Sequence, residues 1–287
     1  MKNLFLLFNV IFAFNISAKT LIISDIDDTL KQTYVVGNKL GGLRVTNQYA
    51  GLSKVYNALA CYDLDQETYE FCIQNQGMMH SRDVQLNYVT GAPGKLRLLG
   101  REFLQESGFP VGVVRGREST RESTHDFKLR TIKKLLKLLP EYDYIVMIGD
   151  NGEHDPKVYH EIEKLFPNKK VHSFIHMVYN TGIFEKDRGV NPYEGQKVYL
   201  TSADLALSLY ELGLVNEGVV LEASKTVSKY ALSRDEDIYE KVLPEWTRCK
   251  AFFKHYKTPA VAMSVQTTNA FNLAMNTVRS LCQRIKD

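Results

Sequence analysis

Three aspartates stand within six residues in Ser24-Asp25-Ile26-Asp27-Asp28-Thr29, directly after the apolar run 21–23. If that run is a strand of a parallel sheet, its end delivers these side chains to the carboxyl edge, where open α/β folds bind ligands. Asp25 and Asp27 are two apart, so any further extension of the strand turns both to the same side. Crowded carboxylates repel each other, and a divalent cation between them offsets the repulsion. One carboxylate can then attack phosphorus while the other shuttles a proton. The plainer alternative is an acidic turn in which Asp28 or Thr29 caps the next segment of chain.

A second apolar run, 144–150, ends in Gly149-Asp150-Asn151-Gly152-Glu153-His154-Asp155-Pro156. Asp150 at its tip is a hard oxygen ligand suited to Mg²⁺. Asp155, next to Pro156, reads either as a helix cap alone or as a cap that also supports a metal. Glu153 and His154 read as surface residues, with His154 in position to meet a substrate. Thr90 and Gly91 close a further strand-like run with a hydroxyl and an amide suited to phosphoryl oxygens. Lys128, near the start of a helical stretch, can neutralise a nucleophile and a phosphate, although a lysine on an amphipathic helix is usually only solvated. Arg115 and Arg117 end another run near the same edge. His172 and His176, four apart on an expected strand, read as buried or edge histidines and not as a metal pair.

These residues need a scaffold, and the chain supplies an alternation of β-branched runs and amphipathic stretches. Strands are expected over 21–27, 86–90, 111–115, 144–150, 171–179 and 197–201, several of them apolar throughout, as strands buried on both faces are. Between them lie helical patterns. Phe127, Ile132, Leu135, Leu136 and Leu139 form one stripe, a second helix starts at Asp155-Pro156, and a third runs from a capping Ser202 to Gly213. The expected fold is therefore α/β, a doubly wound parallel sheet. Residues 31–85 fall outside the rhythm and read as a flap or small cap inserted after the first strand. Residues 216–287 read as a helical C-terminal appendage to a catalytic domain over 19–215.

The order of the chemical residues is more telling than any one of them: Asp-x-Asp on the first strand, Thr on the second, Lys on a later helix, Asp on the next strand tip. This set resembles the four motifs of the haloacid dehalogenase superfamily. Within it, Ser24 to Lys31, Tyr49 to Tyr56, Tyr88-Val-Thr-Gly-Ala-Pro93, Phe103 to Gly112 and Gly149 to Asp155, with Tyr159 following, resemble the phosphatidate phosphatase catalytic domain of the actin-patch-protein family, over roughly residues 21–214. The resemblance implies Asp25 as nucleophile, Asp27 as general acid/base, and Thr90, Gly91 and Lys128 on phosphate. It implies Mg²⁺ on Asp25, Asp27 and Asp150, with Asp155 in support. Thr90 replaces a serine of the pattern, Gly94 stands where an aromatic is common, and Asn151 replaces a second serine. The implied activity is phosphomonoester hydrolysis on a lipid phosphate such as phosphatidate. The rival readings are a phosphatase of soluble esters and an idle module that binds a phosphorylated ligand.

The rest of the chain narrows the setting. Lys2, an apolar run over 4–16 and Ala18 describe a secretory signal peptide over 1–18, which predicts an exported protein beginning near Lys19. No later segment reads as transmembrane, so membrane contact would be transient and at the surface. A formal charge of +3 on 287 residues suggests no nucleic-acid partner. Four cysteines in an exported chain read as structural disulfides or idle thiols, and the simplest pairing is Cys61 with Cys72 and Cys249 with Cys282.

Overall fold

The structure, a computed structural model, describes residues 19–37, 42, 46–75, 83–184, 187–247 and 249–285. The expected signal peptide lies outside the described residues. Strands β1 (Thr20–Ser24), β2 (Val84–Pro93), β3 (Val113–Arg117), β4 (Tyr144–Asp150), β5 (Lys170–His176) and β6 (Lys197–Tyr199) form one sheet. Every pairing is parallel and the order is β3-β2-β1-β4-β5-β6. The doubly wound α/β reading is borne out, strand for strand. The chain winds outward from β1 in one direction and from β4 in the other, so the crevice between the tips of β1 and β4 is the topological switch point.

The central strands are apolar because both of their faces are covered: Leu21, Ile22, Ile23, Ile145, Val146, Met147 and Ile148 are all buried. On the covering helices the spacing does the corresponding work. In α4 (Thr124–Leu138) Phe127, Ile132, Leu135 and Leu136 face the core, and the Ser123 hydroxyl accepts the Asp126 N–H to start the helix. In α1 (Leu52–Ala60) Leu52, Val55, Tyr56 and Leu59 are buried, so part of the 31–85 insertion is itself a helix of the α/β core. It is followed by α2 (Gln66–Gln74), while α3 (Leu96–Glu106) links β2 to β3 and α5 (Asp155–Leu165) links β4 to β5.

Several local expectations are corrected. Val111 precedes β3 and is exposed, and β5 stops at His176, short of Tyr179. Helix α6 (Ser202–Glu211) is capped by Thr201, whose hydroxyl accepts the Ala203 N–H while Asp204 reaches back to the Thr201 N–H. Ser202 is one residue too late to cap, and its hydroxyl is buried without a hydrogen bond. The remaining helices are α7 (Glu217–Ala231), α8 (Glu236–Tyr239), α9 (Cys249–His255) and α10 (Val265–Arg284). Val227, Leu243, Phe252 and Val278 from this part join the sheet's residues in one continuous apolar cluster.

Both cysteine pairs are bonded, Cys61 to Cys72 and Cys249 to Cys282. The first ties the C-terminal end of α1 to α2 across 11 residues. In the chain-entropy picture a loop near this size restrains the unfolded state by about 3 kcal/mol. Replacing Cys61 and Cys72 together by serine is therefore expected to lower the unfolding free energy by about that amount. Denaturant titration of the oxidised parent and the double variant checks it.

Candidate active site

The β1 tip is held in place before any side chain acts. Beyond Ser24 the Asp25 N–H donates to Ile148 O of β4, which prolongs the alignment of the two strands by one residue. The chain then turns. Asp28 adopts a left-handed φ of 59°, its N–H donates to Lys31 O, and Asp27 bridges to Lys31. Asp25 and Asp27 thus leave the strand on a tight turn and not on an extended tip.

Lys128 sits at the centre. Its Nζ lies 2.9 Å from Asp25 Oδ1 and donates to Asp155 Oδ1 at 2.5 Å. All three side chains are buried. Beyond this close charge pair with Lys128, Asp25 Oδ1 has no hydrogen-bond partner. The other Asp155 oxygen accepts the Asp150 N–H at 3.4 Å. Helix α5 receives no side-chain cap, so the reading of Asp155 as an N-cap is wrong: its carboxylate faces inward to Lys128. Gly149 makes this reach feasible, because a Cβ there would lie 2.3 Å from Asp155 Oδ2. Gly149→Ala is expected to push Asp155 off Lys128, with a stability loss of about 1–3 kcal/mol and a fall in turnover. Thermal unfolding and kcat/KM of the variant check both.

The carboxylates press on one another. Burial pushes Asp25 well above the usual carboxylate range, Lys128 opposes this, and the Asp155 and Asp27 charges add to it. Burial also raises Asp150 strongly, reinforced by Asp155 and Asp25. Burial disfavours charge on Lys128, yet Asp155, Asp25 and Asp150 outweigh it and hold the ammonium protonated above its usual range. One donor oxygen each from Asp25, Asp150 and Asp155 lies within 4.8 Å of the others. Three buried carboxylates against one lysine leave an excess of negative charge. That excess and the free lone pairs of Asp25 Oδ1 fit a hard cation bound through oxygen.

Asp27 has its own support. Its Oδ2 accepts the Thr90 hydroxyl at 2.8 Å, and Thr90 Oγ1 in turn accepts the Ala92 N–H at 3.0 Å. Thr90, expected on phosphate, here spends its hydrogen on Asp27. Burial raises the Asp27 pKa, while the Thr90 bond and the nearby Lys31 charge restrain it. A cavity of about 220 Å³ opens over these groups, lined by Asp25, Asp27, Val35, Gly91, Ala92, Pro93, Arg117, Thr120, Thr124, Lys128, Asp150, Glu153 and His154. It lies at the switch point.

The family model described as the phosphatidate phosphatase APP1 catalytic domain matches residues 20–177. The chain belongs to that family. The Saccharomyces cerevisiae protein named phosphatidate phosphatase APP1 is 25% identical over 167 residues, which cover 56% of this chain and 26% of the yeast protein. The chain thus spans about a quarter of that relative's length. No solved structure matches.

Every site residue expected in this APP1-family domain falls in one place: Asp25, Asp27, Gly91, Lys128 and Asp150 line the cavity, while Thr90 and Asp155 stand directly behind them. Glu153 and His154 join the lining, as does Arg117, pinned by bonds from its guanidinium to Gly91 O and Glu122 O. Arg115 instead bonds to Asn87. His172 packs against Tyr144, and His176 is buried between the rings of Tyr49 and Tyr199.

Two residues were missed. Asp28 is fully buried, and its carboxylate accepts the N–H groups of Thr33, Tyr34 and Val35 as well as the Thr33 and Tyr179 hydroxyls. It folds the 33–35 segment over the site, where Val35 joins the cavity wall. Lys31 is buried, with its ammonium over the Phe103 ring and its charge acting on Asp27. A third adjacent aspartate was the only signal for Asp28. Lys31 had none.

Proposed function

We propose that this chain is a magnesium-dependent phosphatase of the haloacid dehalogenase type, acting on phosphatidate or a similar lipid phosphate through an aspartyl-phosphate on Asp25. The observation that carries the reading is the buried Lys128 between Asp25 and Asp155, with Asp27 oriented separately by Thr90. A nucleophile needs its charge screened without being blocked, and an acid/base needs a raised pKa and a fixed direction. Asp25 and Asp27 meet those two needs in different surroundings.

In the first step an Asp25 oxygen attacks phosphorus, the bond from phosphorus to the ester oxygen breaks, and Asp27 gives that oxygen its proton. In the second, Asp27 takes a proton from water, whose oxygen attacks phosphorus and releases inorganic phosphate and the Asp25 carboxylate. Lys128 and the Gly91 region offset the growing charge on the phosphoryl oxygens, where positioned electrostatics supply most of the rate. Asp25 and Asp150, with Asp155 adjoining, would hold Mg²⁺, which supplies further charge neutralisation when bound. A cavity of about 220 Å³ takes a phosphate and the small group esterified to it, so the acyl chains of a membrane lipid would remain outside. The lipid assignment also draws on the family, whose model carries the phosphatidate phosphatase name.

Hydrolysis should depend on Mg²⁺ and stop with a chelator. A panel of phosphatidate in mixed micelles, lysophosphatidate, nucleotides, sugar phosphates and an aryl phosphate, at equal Mg²⁺, tests the substrate. Preference for a soluble ester by about 10²-fold in kcat/KM, near 2.7 kcal/mol, would reject the lipid reading and leave the phosphatase reading standing.

Residues 1–18 are proposed as a cleaved export signal, and the two disulfides suit an oxidising compartment. An intact mass retaining Met1 after export would reject this.

A further inference from the structure

A loop leaves the carboxyl end of β5 on the same edge of the sheet as the candidate active site, and its outward part carries two adjacent apolar side chains. Phe184 is 95% exposed and Ile183 is 69% exposed. Phe184 is the most exposed large apolar side chain among the described residues, and with Ile183 it makes a small contiguous apolar patch. The base of the loop is firmly built: the Gly189 N–H donates to Asn180 O, the Asn180 side chain accepts the Thr181 and Gly182 N–H groups, and the Val190 N–H donates to Asn151 O. The Tyr34 hydroxyl donates to Asp187 on the return limb, and Asp28 holds the Tyr34 N–H. The loop is therefore braced against the same turn that carries Asp25 and Asp27.

A cluster of exposed lysines stands near the same end of the sheet. Lys54 in the first turn of α1, Lys229 in the last turn of α7 and Lys241 line a cleft of about 470 Å³. The α1 N-terminus there has neither a side-chain cap nor an acidic residue in its first turn. Arg188, beside Asp187, is also exposed. Among the described residues no helix is long and apolar enough to cross a membrane.

We infer that this edge is an interfacial docking face for an anionic lipid bilayer, with Ile183 and Phe184 entering the headgroup–acyl boundary and the lysine cleft facing lipid phosphates. The inference rests on the lipid-phosphate reading above and adds how the small cavity meets a substrate whose chains stay in the membrane. Shallow apolar insertion combined with attraction to anionic headgroups is a sufficient basis for reversible surface binding. It presents the cavity to the bilayer, not to bulk water.

Flotation with vesicles of phosphatidylcholine, alone or with added phosphatidate or phosphatidylglycerol, tests it in the presence of a chelator so that no lipid is turned over. Free inorganic phosphate and a soluble short-chain phosphatidate serve as competitors, separating capture of a phosphate group from docking on a surface. The parent should bind both anionic vesicles more tightly than neutral ones. Phe184→Ala should weaken binding by roughly tenfold and Ile183→Ser with Phe184→Ser by more. Hydrolysis of vesicle phosphatidate should fall in step, while hydrolysis of an aryl phosphate stays at the parent's rate. Parent-like vesicle binding by the double variant would overturn the docking face, as would a parent that binds no vesicle. Self-association of the parent that the double variant abolishes, without vesicle binding, would overturn it in favour of a protein interface. Phe184-dependent vesicle binding in a protein that hydrolyses only soluble esters would support the face and overturn the substrate reading alone.

Discussion

Asp25→Asn protein is expected to fold as the parent does and to hydrolyse no phosphomonoester above background. The amide nearly keeps the shape of the carboxylate but cannot attack phosphorus to give the acyl phosphate. Asp27→Asn should be less absolute, a loss of about 10²-fold or more, because it removes proton transfer and leaves the nucleophile. The contrast follows from their surroundings. Asp25 is held against Lys128 and Asp27 against Thr90, so either can be changed without moving the other. Circular dichroism establishes folding, and initial rates at saturating Mg²⁺ establish the order of the two losses. Parent-like turnover by Asp25→Asn would end the nucleophile assignment.

Lys128→Met is expected to damage both stability and turnover. Methionine keeps much of the length but leaves Asp25 and Asp155 buried without their cation. Removing one partner of a buried pair costs about 3–5 kcal/mol, and loss of charge at the phosphate should lower kcat by roughly 10²–10³. The stability deficit should also depend on pH. Asp25 has a native pKa raised by burial even with Lys128 present, and without it the value rises further. The native state then binds more protons than the unfolded chain as pH falls, so stability is recovered on the acid side and lost toward neutrality. Denaturant titrations of parent and variant, carried from alkaline pH down to pH 4, should show the gap narrowing as pH falls. A gap constant with pH would mean that Lys128 is not the counter-charge of a titrating carboxylate.

The fold was legible because buried parallel strands leave a plain trace. Runs such as Leu21-Ile22-Ile23 and Ile145-Val146-Met147-Ile148 are apolar on both faces only where helices cover both. Asp25 and Asp150 were legible for a related reason, since an acid after such a run stands at the sheet edge. Lys128 left a subtler trace: Ile132 and Leu135, four and seven residues on, put it on the buried stripe of α4, where a merely solvated lysine does not belong.

What escaped is whatever long-range partners fix. Asp155 was expected at the site in support of a metal or as a cap beside Pro156, but nothing local says that its carboxylate crosses 27 residues to Lys128. Asp28 collects bonds from Thr33, Tyr34, Val35 and, 151 residues away, Tyr179. The Thr201 cap was displaced by one position because Thr201 and Ser202 are both able to cap, and only Asp204 reaching back selects between them. Such choices are decided by tertiary partners, not by the residues beside them.

On the proposed mechanism every phosphoryl group passes through the Asp25 side chain. The most direct measurement uses Asp27→Asn protein with Mg²⁺ and phosphatidate, quenched in acid during turnover, and weighs the peptide that contains residue 25. Asparagine at position 27 should slow attack by water more than attack by Asp25, so a covalent phosphoryl group should accumulate there and be absent when Asp25→Asn is added. Turnover with no covalent phosphate at any time, or phosphate carried by another residue, would contradict the mechanism.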